Sequence, residues 1–92
     1  MISIGIINWN TDILLKNILT AVFAETSHLV EKTEIIVVDN ASTDRSLDIV
    51  TKEFPYVKLL RNETNQGFTK AVNQAIKTMR GDFLLLLNTD VI

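Results

Sequence analysis

The sequence predicts an α/β protein built on a Rossmann-like parallel sheet with helices on both faces. Three observations carry that reading. Four short runs rich in Ile, Val and Leu recur along the chain, three stretches of helical period separate them, and each separation is too long for a hairpin. The order is therefore βαβαβαβ. Right-handed crossovers narrow the spatial strand order to 3-2-1-4, with two helices on one face and the third on the other.

The first strand is Ile2 to Ile7, short, β-branched and apolar. Asn10-Thr11-Asp12 then supplies N-cap chemistry for a helix whose apolar residues, Leu14, Leu15, Ile18, Leu19, Val22 and Phe23, recur at helical period. Glu34 to Asp39 is a second buried strand. Ser42, Thr43 and Asp44 offer caps for a second helix with Leu47, Val50 and Phe54 inward, and Pro55 stops it. Val57 to Arg61 is a third strand whose charges suit a sheet edge. The loop Asn62 to Gly67 leads into a third helix bearing Ala71, Val72, Ala75, Ile76 and Met79. Gly81 stands where a left-handed residue would end that helix. Asp82 to Leu87 is the fourth strand, and its leucines read as buried on both faces.

The bulk properties exclude several classes of function. With 92 residues, 47% of them hydrophobic and 22% charged, the chain is one small globular domain or a piece of a larger one. A net charge of −2 with scattered basic residues gives no footprint for nucleic acid. The absence of cysteine excludes disulfides and thiolate metal sites. No apolar stretch reaches the length of a membrane span, and Ile2 to Ile7 is too short for a signal segment, so the expected location is cytoplasmic.

Polar residues crowd the ends of the strands. Asn8-Trp9-Asn10, Asp39-Asn40-Ala41-Ser42, Asn62 to Gly67 and Asn88-Thr89-Asp90 each follow a strand, and in a parallel sheet those ends share one side. Ser3, Glu34, Val57 and Asp82, at the opposite ends, show no comparable clustering. Between strands 1 and 4 the chain reverses direction, and such a switch point is where open α/β sheets bind ligands. Each tip alone has an ordinary reading. Asp39-Asn40 serves turns and caps, Trp9 packs, and Gly67 supplies a backbone angle. Asn73, Lys70 and Lys77 form the wet face of a helix, and His28 is solvated near a helix end. It is the coincidence of four polar tips that points to a ligand crevice.

Asn88 and Asp90 are two apart in an extended segment, so their side chains point the same way. A carboxylate there suits Mg²⁺ or Mn²⁺, which take one or two protein oxygens and complete their shell with water and phosphate. Free N–H groups at the start of the third helix favour anions. Together these point to a nucleoside diphosphate bridged by a metal. Asp90 as a cap for a following element is the ordinary alternative.

The four segments "ISIGIINWN", "IIVVDNASTD", "RNETNQGFTKAVNQAI" and "GDFLLLLNTD" resemble, in order and spacing, the signatures of family 2 glycosyltransferases with the GT-A fold. The resemblance covers nearly the whole chain, and its wording is similar to the rhamnosyltransferase-like branch. It implies that residues 1–92 are the nucleotide-sugar-binding, N-terminal half of a GT-A fold. Such enzymes transfer a sugar from a nucleoside diphosphate donor with inversion, as in cell-surface polysaccharide biosynthesis.

The resemblance implies roles as well. Asn8, Trp9 and Asn10 would line the base and ribose pocket, Asp39 would accept the imide N–H of a uracil or thymine, and Asn40 and Ser42 would close that pocket. Asn65 and Gly67 would shape the loop beside the diphosphate, with Asn73 bracing it, and Asp90 would hold Mg²⁺ or Mn²⁺. Two departures stand out. The first acidic position of the family's Asp-x-Asp element is Asn88, which would contact the ribose or weaken the metal site. The arginine that many relatives carry before the helix asparagine is Val72, with Lys70 as a substitute.

The resemblance also implies a second half, after Ile92, with the acceptor site for a glycan or lipid-linked acceptor and the catalytic base. The expected protein is then inactive alone, peripheral at the inner membrane face when complete, and self-associating through the bare edge of the fourth strand. The alternative is a stand-alone, non-catalytic nucleotide-binding α/β module. A phospho-accepting domain would want clustered acids where Asn8 and Asn10 stand. A dinucleotide fold would want a glycine-rich turn after the first strand.

Overall fold

The computed structural model describes residues 1–27 and 32–89. The elements are β1 (Ile2–Asn8), α1 (Asp12–Thr26), β2 (Thr33–Asn40), α2 (Ser46–Glu53), β3 (Lys58–Asn62), α3 (Gly67–Thr78) and β4 (Phe83–Asn88). They form one four-stranded sheet in the order β3-β2-β1-β4 with every neighbouring pair parallel, as the crossovers require. His28 lies outside the described residues.

Side-chain alternation divides the core into two layers. On one face Ile4 and Ile6 of β1 and Ile35 and Val37 of β2 pack against Leu15 and Leu19 of α1 and against Ile49, Val50 and Phe54 of α2. On the other face Ile7, Ile36 and Val38 meet Ala71 and Ala75 of α3. The two alanines, both fully buried, bring α3 close to β1 and β2. Leu14 and Phe23, expected inward, are each 50% exposed, because the helix turns only Leu15 and Leu19 fully onto the sheet.

β4 departs from the expectation of a strand buried on both faces. Phe83 is 73% exposed and Leu85 54%, while Leu87 packs against the α1/α2 layer and Leu86 against the α3 layer. The helices lie over β1 and β2 and leave the start of this edge strand bare.

Gly81 also has a different cause from the expected one. α3 ends with Met79 in extended backbone (φ −63, ψ 147), and Gly81 has no positive φ. A Cβ on Gly81 would lie 2.5 Å from Ser3 Oγ and 2.7 Å from the Met1 carbonyl oxygen, so close approach excludes a side chain there. This end of the sheet carries a compact polar knot. Ser3 Oγ donates to Glu34 Oε1 at 2.6 Å and accepts from the Gly81 N–H at 2.9 Å, and the Arg80 N–H donates to the same Glu34 oxygen. Burial pushes the Glu34 carboxyl up, but these hydrogen bonds and the charge of Lys58 outweigh it and hold it below the ordinary glutamate range.

Candidate functional site

The strand register builds the opposite end. It sets Asn8 beside Asp39, Asn40 beside Asn62, and Ile7 beside Asn88. Alternation then sends these residues to different faces. Asn8 and Asp39 continue the row of Ile4, Ile6, Ile35 and Val37 and belong to the α1/α2 face. Ile7, Asn40 and Asn88 continue the α3-face rows.

On the α1/α2 face the side chains form a closed network. Asp39 is 1% exposed. Its Oδ1 accepts from Asn8 Nδ2 at 3.0 Å and from Ser42 Oγ at 2.7 Å, and its Oδ2 accepts from the Ser42 N–H at 2.9 Å. Asn8 is fully buried, with its oxygen 2.8 Å from Thr11 Oγ1 and 3.1 Å from Thr89 Oγ1. Ser42 Oγ also accepts from the Asn10 N–H at 2.9 Å, and Asn10 Oδ1 accepts from the Thr43 N–H at 2.7 Å. These bonds hold two residues in left-handed backbone, Asn10 (φ 50) and Ala41 (φ 65). The second is strained, since alanine gains nothing locally in that conformation.

The two helices on this face cap each other. The Asp12 N–H donates to Asp44 Oδ2 at 3.0 Å, the Arg45 N–H donates to Asp12 Oδ2 at 3.3 Å, and the Ser46 N–H donates to Asp44 Oδ1 at 2.9 Å. Burial pushes the Asp44 carboxyl up, yet hydrogen bonds from Ser46 and Asp12 hold it below the ordinary aspartate range. Thr11, at the N-cap of α1, is spent instead on Asn8 and Thr89.

On the α3 face the tips open into a cleft of about 160 Å³ lined by Ile7, Trp9, Asn40, Asn65, Gly67, Phe68 and Asn88. Trp9 is 48% exposed and Phe68 46%, two aromatic faces on one cavity. Behind them Asn40 is the hub. Its Oδ1 accepts from Asn62 Nδ2 at 2.8 Å and from the Gln66 N–H at 3.3 Å, and its Nδ2 donates to the Gly67 carbonyl at 3.3 Å. Asn62 and Gln74 exchange two amide hydrogen bonds, each 2.8 Å, which ties α3 to β3. Asn65 Oδ1 accepts from the N–H of Gly67, whose φ of 80 starts the helix. Gln66, the N-cap of α3, makes no side-chain cap hydrogen bond, and Asn65 holds only the first N–H of the helix, so the start of α3 can still face an anion.

The structure thus separates residues that the sequence grouped. Trp9, Asn40, Asn65, Gly67 and Asn88 come together on the cleft wall. Asn8 and Asp39 lie behind it as braces, with their hydrogen-bonding groups occupied by protein partners. Asn10 clasps the two loops, and Ser42 lines a second groove of about 550 Å³ with Ala41, Thr43, Leu47, Arg61, Asn62 and Glu63, which shares no residue with the cleft. Lys70 and Asn73 are exposed on α3 outside the cleft. Asn73 does not brace the loop; Gln74 does, because it lies three residues after buried Ala71 and so faces β3. That helical phase was the signal for Gln74, and the register with Asn40 was the signal for Asn62. Asp90 lies outside the described residues. Among the described residues no group of three or more His, Cys, Asp or Glu side chains could hold a metal ion, and Asn88 contributes a neutral side chain to the cleft wall.

A parallel sheet of order 3-2-1-4 with its cleft at the switch point is the N-terminal part of a GT-A fold. The chain belongs to glycosyl transferase family 2, whose profile matches residues 3–92. It is 34% identical over 90 residues to an uncharacterized glycosyltransferase of Haemophilus influenzae, covering 98% of this chain and 29% of that protein. It is 36% identical over 93 residues to a poly(ribitol-phosphate) beta-glucosyltransferase of Bacillus spizizenii, covering 97% of this chain and 14% of that protein. Among solved structures, S. aureus TarS 1-349 in complex with UDP-GlcNAc superimposes with a TM-score of 0.83 at 30% identity, over 97% of this chain and 26% of that one. A Pyrobaculum calidifontis mannosyltransferase in complex with GDP-Man and Mn²⁺ shares the fold, with a TM-score of 0.82 at 23% identity over 97% of this chain and 27% of that one. The chain therefore spans less than a third of the length of each of these relatives. No helix among the described residues is long and apolar enough to cross a membrane.

Proposed function

We propose that this chain is the donor-binding part of an inverting glycosyltransferase and holds a UDP- or dTDP-sugar in the α3-face cleft. The observation that supports the reading best is the cleft wall itself. Two half-exposed aromatic rings, Trp9 and Phe68, stand with the amides of Asn40, Asn65 and Asn88 around one cavity at the switch point. The aromatic faces suit the nucleotide base. The amides suit its imide edge and the ribose hydroxyls. The start of α3, beyond the Gly67 N–H that Asn65 holds, suits the diphosphate. In this reading Asp39 shapes the base site from behind and does not touch the ligand.

A divalent ion would be held by Asp90, with Asn88 beside it, and would neutralise the diphosphate as the sugar leaves. The cleft wall carries no carboxylate among the described residues, so its share of the reaction is binding, and the base for the acceptor would come from outside it. Motif wording supports a rhamnosyltransferase-like donor, while the relation to TarS supports UDP-GlcNAc. A glycan or lipid-linked acceptor at the cytoplasmic membrane face completes the reading. The bare Phe83 and Leu85 on β4 support self-association of the chain as it stands.

Calorimetric titration of the chain with UDP and with ADP, each with and without Mn²⁺, tests the proposal. Saturable UDP binding that tightens with Mn²⁺ and exceeds ADP binding is expected. Equal binding of ADP, or none of UDP under either condition, would overturn it.

A further inference from the structure

We infer that Thr89, the middle residue of Asn88-Thr89-Asp90, is a positioning residue that holds the Trp9 platform, acting through Asn8 and Thr11. The inference rests on the donor-binding reading above. Alternation turns Thr89 away from the cleft and onto the α1/α2 face, where it is 2% exposed. Its N–H donates to the Ile7 carbonyl at 3.2 Å. Its Oγ1 lies 2.6 Å from Thr11 Oγ1, 3.1 Å from Asn8 Oδ1 and 3.2 Å from the Ile7 carbonyl.

Two hydroxyl protons, from Thr11 and Thr89, are thus shared at the oxygen end of the Asn8 amide. Donors at that end turn the NH₂ end toward Asp39 Oδ1, at 3.0 Å, and Ser42 Oγ, at 3.3 Å. The reverse orientation would set the amide oxygen against a carboxylate. Ser42 in turn holds the Asn10 N–H. Trp9 therefore stands between two pinned residues, Asn8 and Asn10, and the pin on the first leads to Thr89. A valine would fill the same space without a buried hydroxyl to satisfy, so packing alone does not account for the threonine.

Trp9 is the sole tryptophan, so its fluorescence reports the platform directly. The experiment compares wild type, Thr89→Val, Thr89→Ser and the opposite-end control Ser3→Ala in UDP quenching titrations, with fluorescence anisotropy and thermal melts. Thr89→Val should weaken UDP binding by roughly 3- to 10-fold, the worth of one net hydrogen bond, and lower Trp9 anisotropy. Thr89→Ser should restore both, and Ser3→Ala should lower the melting temperature without changing UDP affinity. If Thr89→Val does not fold, Thr11→Val must show the same two losses. Wild-type affinity and anisotropy in the valine variant would overturn the inference alone, as would losses that serine does not rescue. Failure of wild type to bind UDP would remove the donor-binding reading and the inference with it.

Discussion

The same strand tips do opposite things on the two faces of the sheet. On the α1/α2 face Asn8, Asp39 and Thr89 close into a buried network, and on the α3 face Ile7, Trp9, Asn40 and Asn88 stand around an open cleft. Neighbours in sequence fall on different sides: Asp39 braces while Asn40 lines, and Thr89 braces while Asn88 lines. A cluster of polar residues at the ends of strands therefore has two parts, and the period of two decides which part meets a ligand. The far end of the sheet makes the same point. Ser3 and Glu34 are polar and hydrogen-bonded to each other there, and the tight Gly81 backbone closes over Ser3.

Removal of the central brace has the largest expected effect. Asp39→Ala removes the acceptor of both Ser42 donors and of one of the two Asn8 Nδ2 hydrogen bonds at a buried position. It should cost about 3 kcal/mol in stability, read by urea denaturation. A cost near zero would mean that the network does not hold the tips.

On the cleft wall the expected effect reverses its character. Trp9→Ala should leave the denaturation midpoint close to wild type and weaken UDP binding by about 2 kcal/mol, the order of one base–aromatic stack. Large destabilisation with unchanged binding would place Trp9 among the braces. Ala41→Gly addresses the strain that the network imposes. Relief of left-handed backbone at alanine should raise stability by about 1 kcal/mol, seen as a higher melting temperature.

The smallest expected effect is electrostatic. Asp44 titrates below its ordinary range in the folded protein, so its contribution is complete above the unfolded value and is lost as pH falls through the folded one. Denaturation midpoints measured downward from neutral pH should fall less steeply in acid for Asp44→Asn than for wild type. Identical slopes would contradict the shared helix cap.

Nearly all of the fold was legible in the sequence. Four apolar runs and three helical periods lead to the observed order 3-2-1-4, and element bounds differ by a residue or two. What the sequence left unread depends on phase and on distance. Asn73 and Gln74 are equally polar neighbours, and only their phase against Ala71 and Ala75 separates the exposed one from the brace. Gly81 looks like a helix terminator until Ser3 and Met1 are placed beside it. Asp39 reads in the sequence as a ligand contact, and only the register with Asn8 and the turn to Ser42 reveal that it also anchors a protein network. The exposure of Phe83 and Leu85 was hidden because a leucine run signals burial without saying which helix supplies it.

The most direct test of the division between wall and brace is an amide NMR titration of the ¹⁵N-labelled chain with UDP in the presence of Mg²⁺. Perturbations concentrated at Trp9, Asn65, Gly67, Phe68 and Asn88 are expected. Perturbations centred instead on the groove of Thr43, Leu47, Arg61 and Glu63 would contradict it, because the α3-face tips would then not be the binding surface.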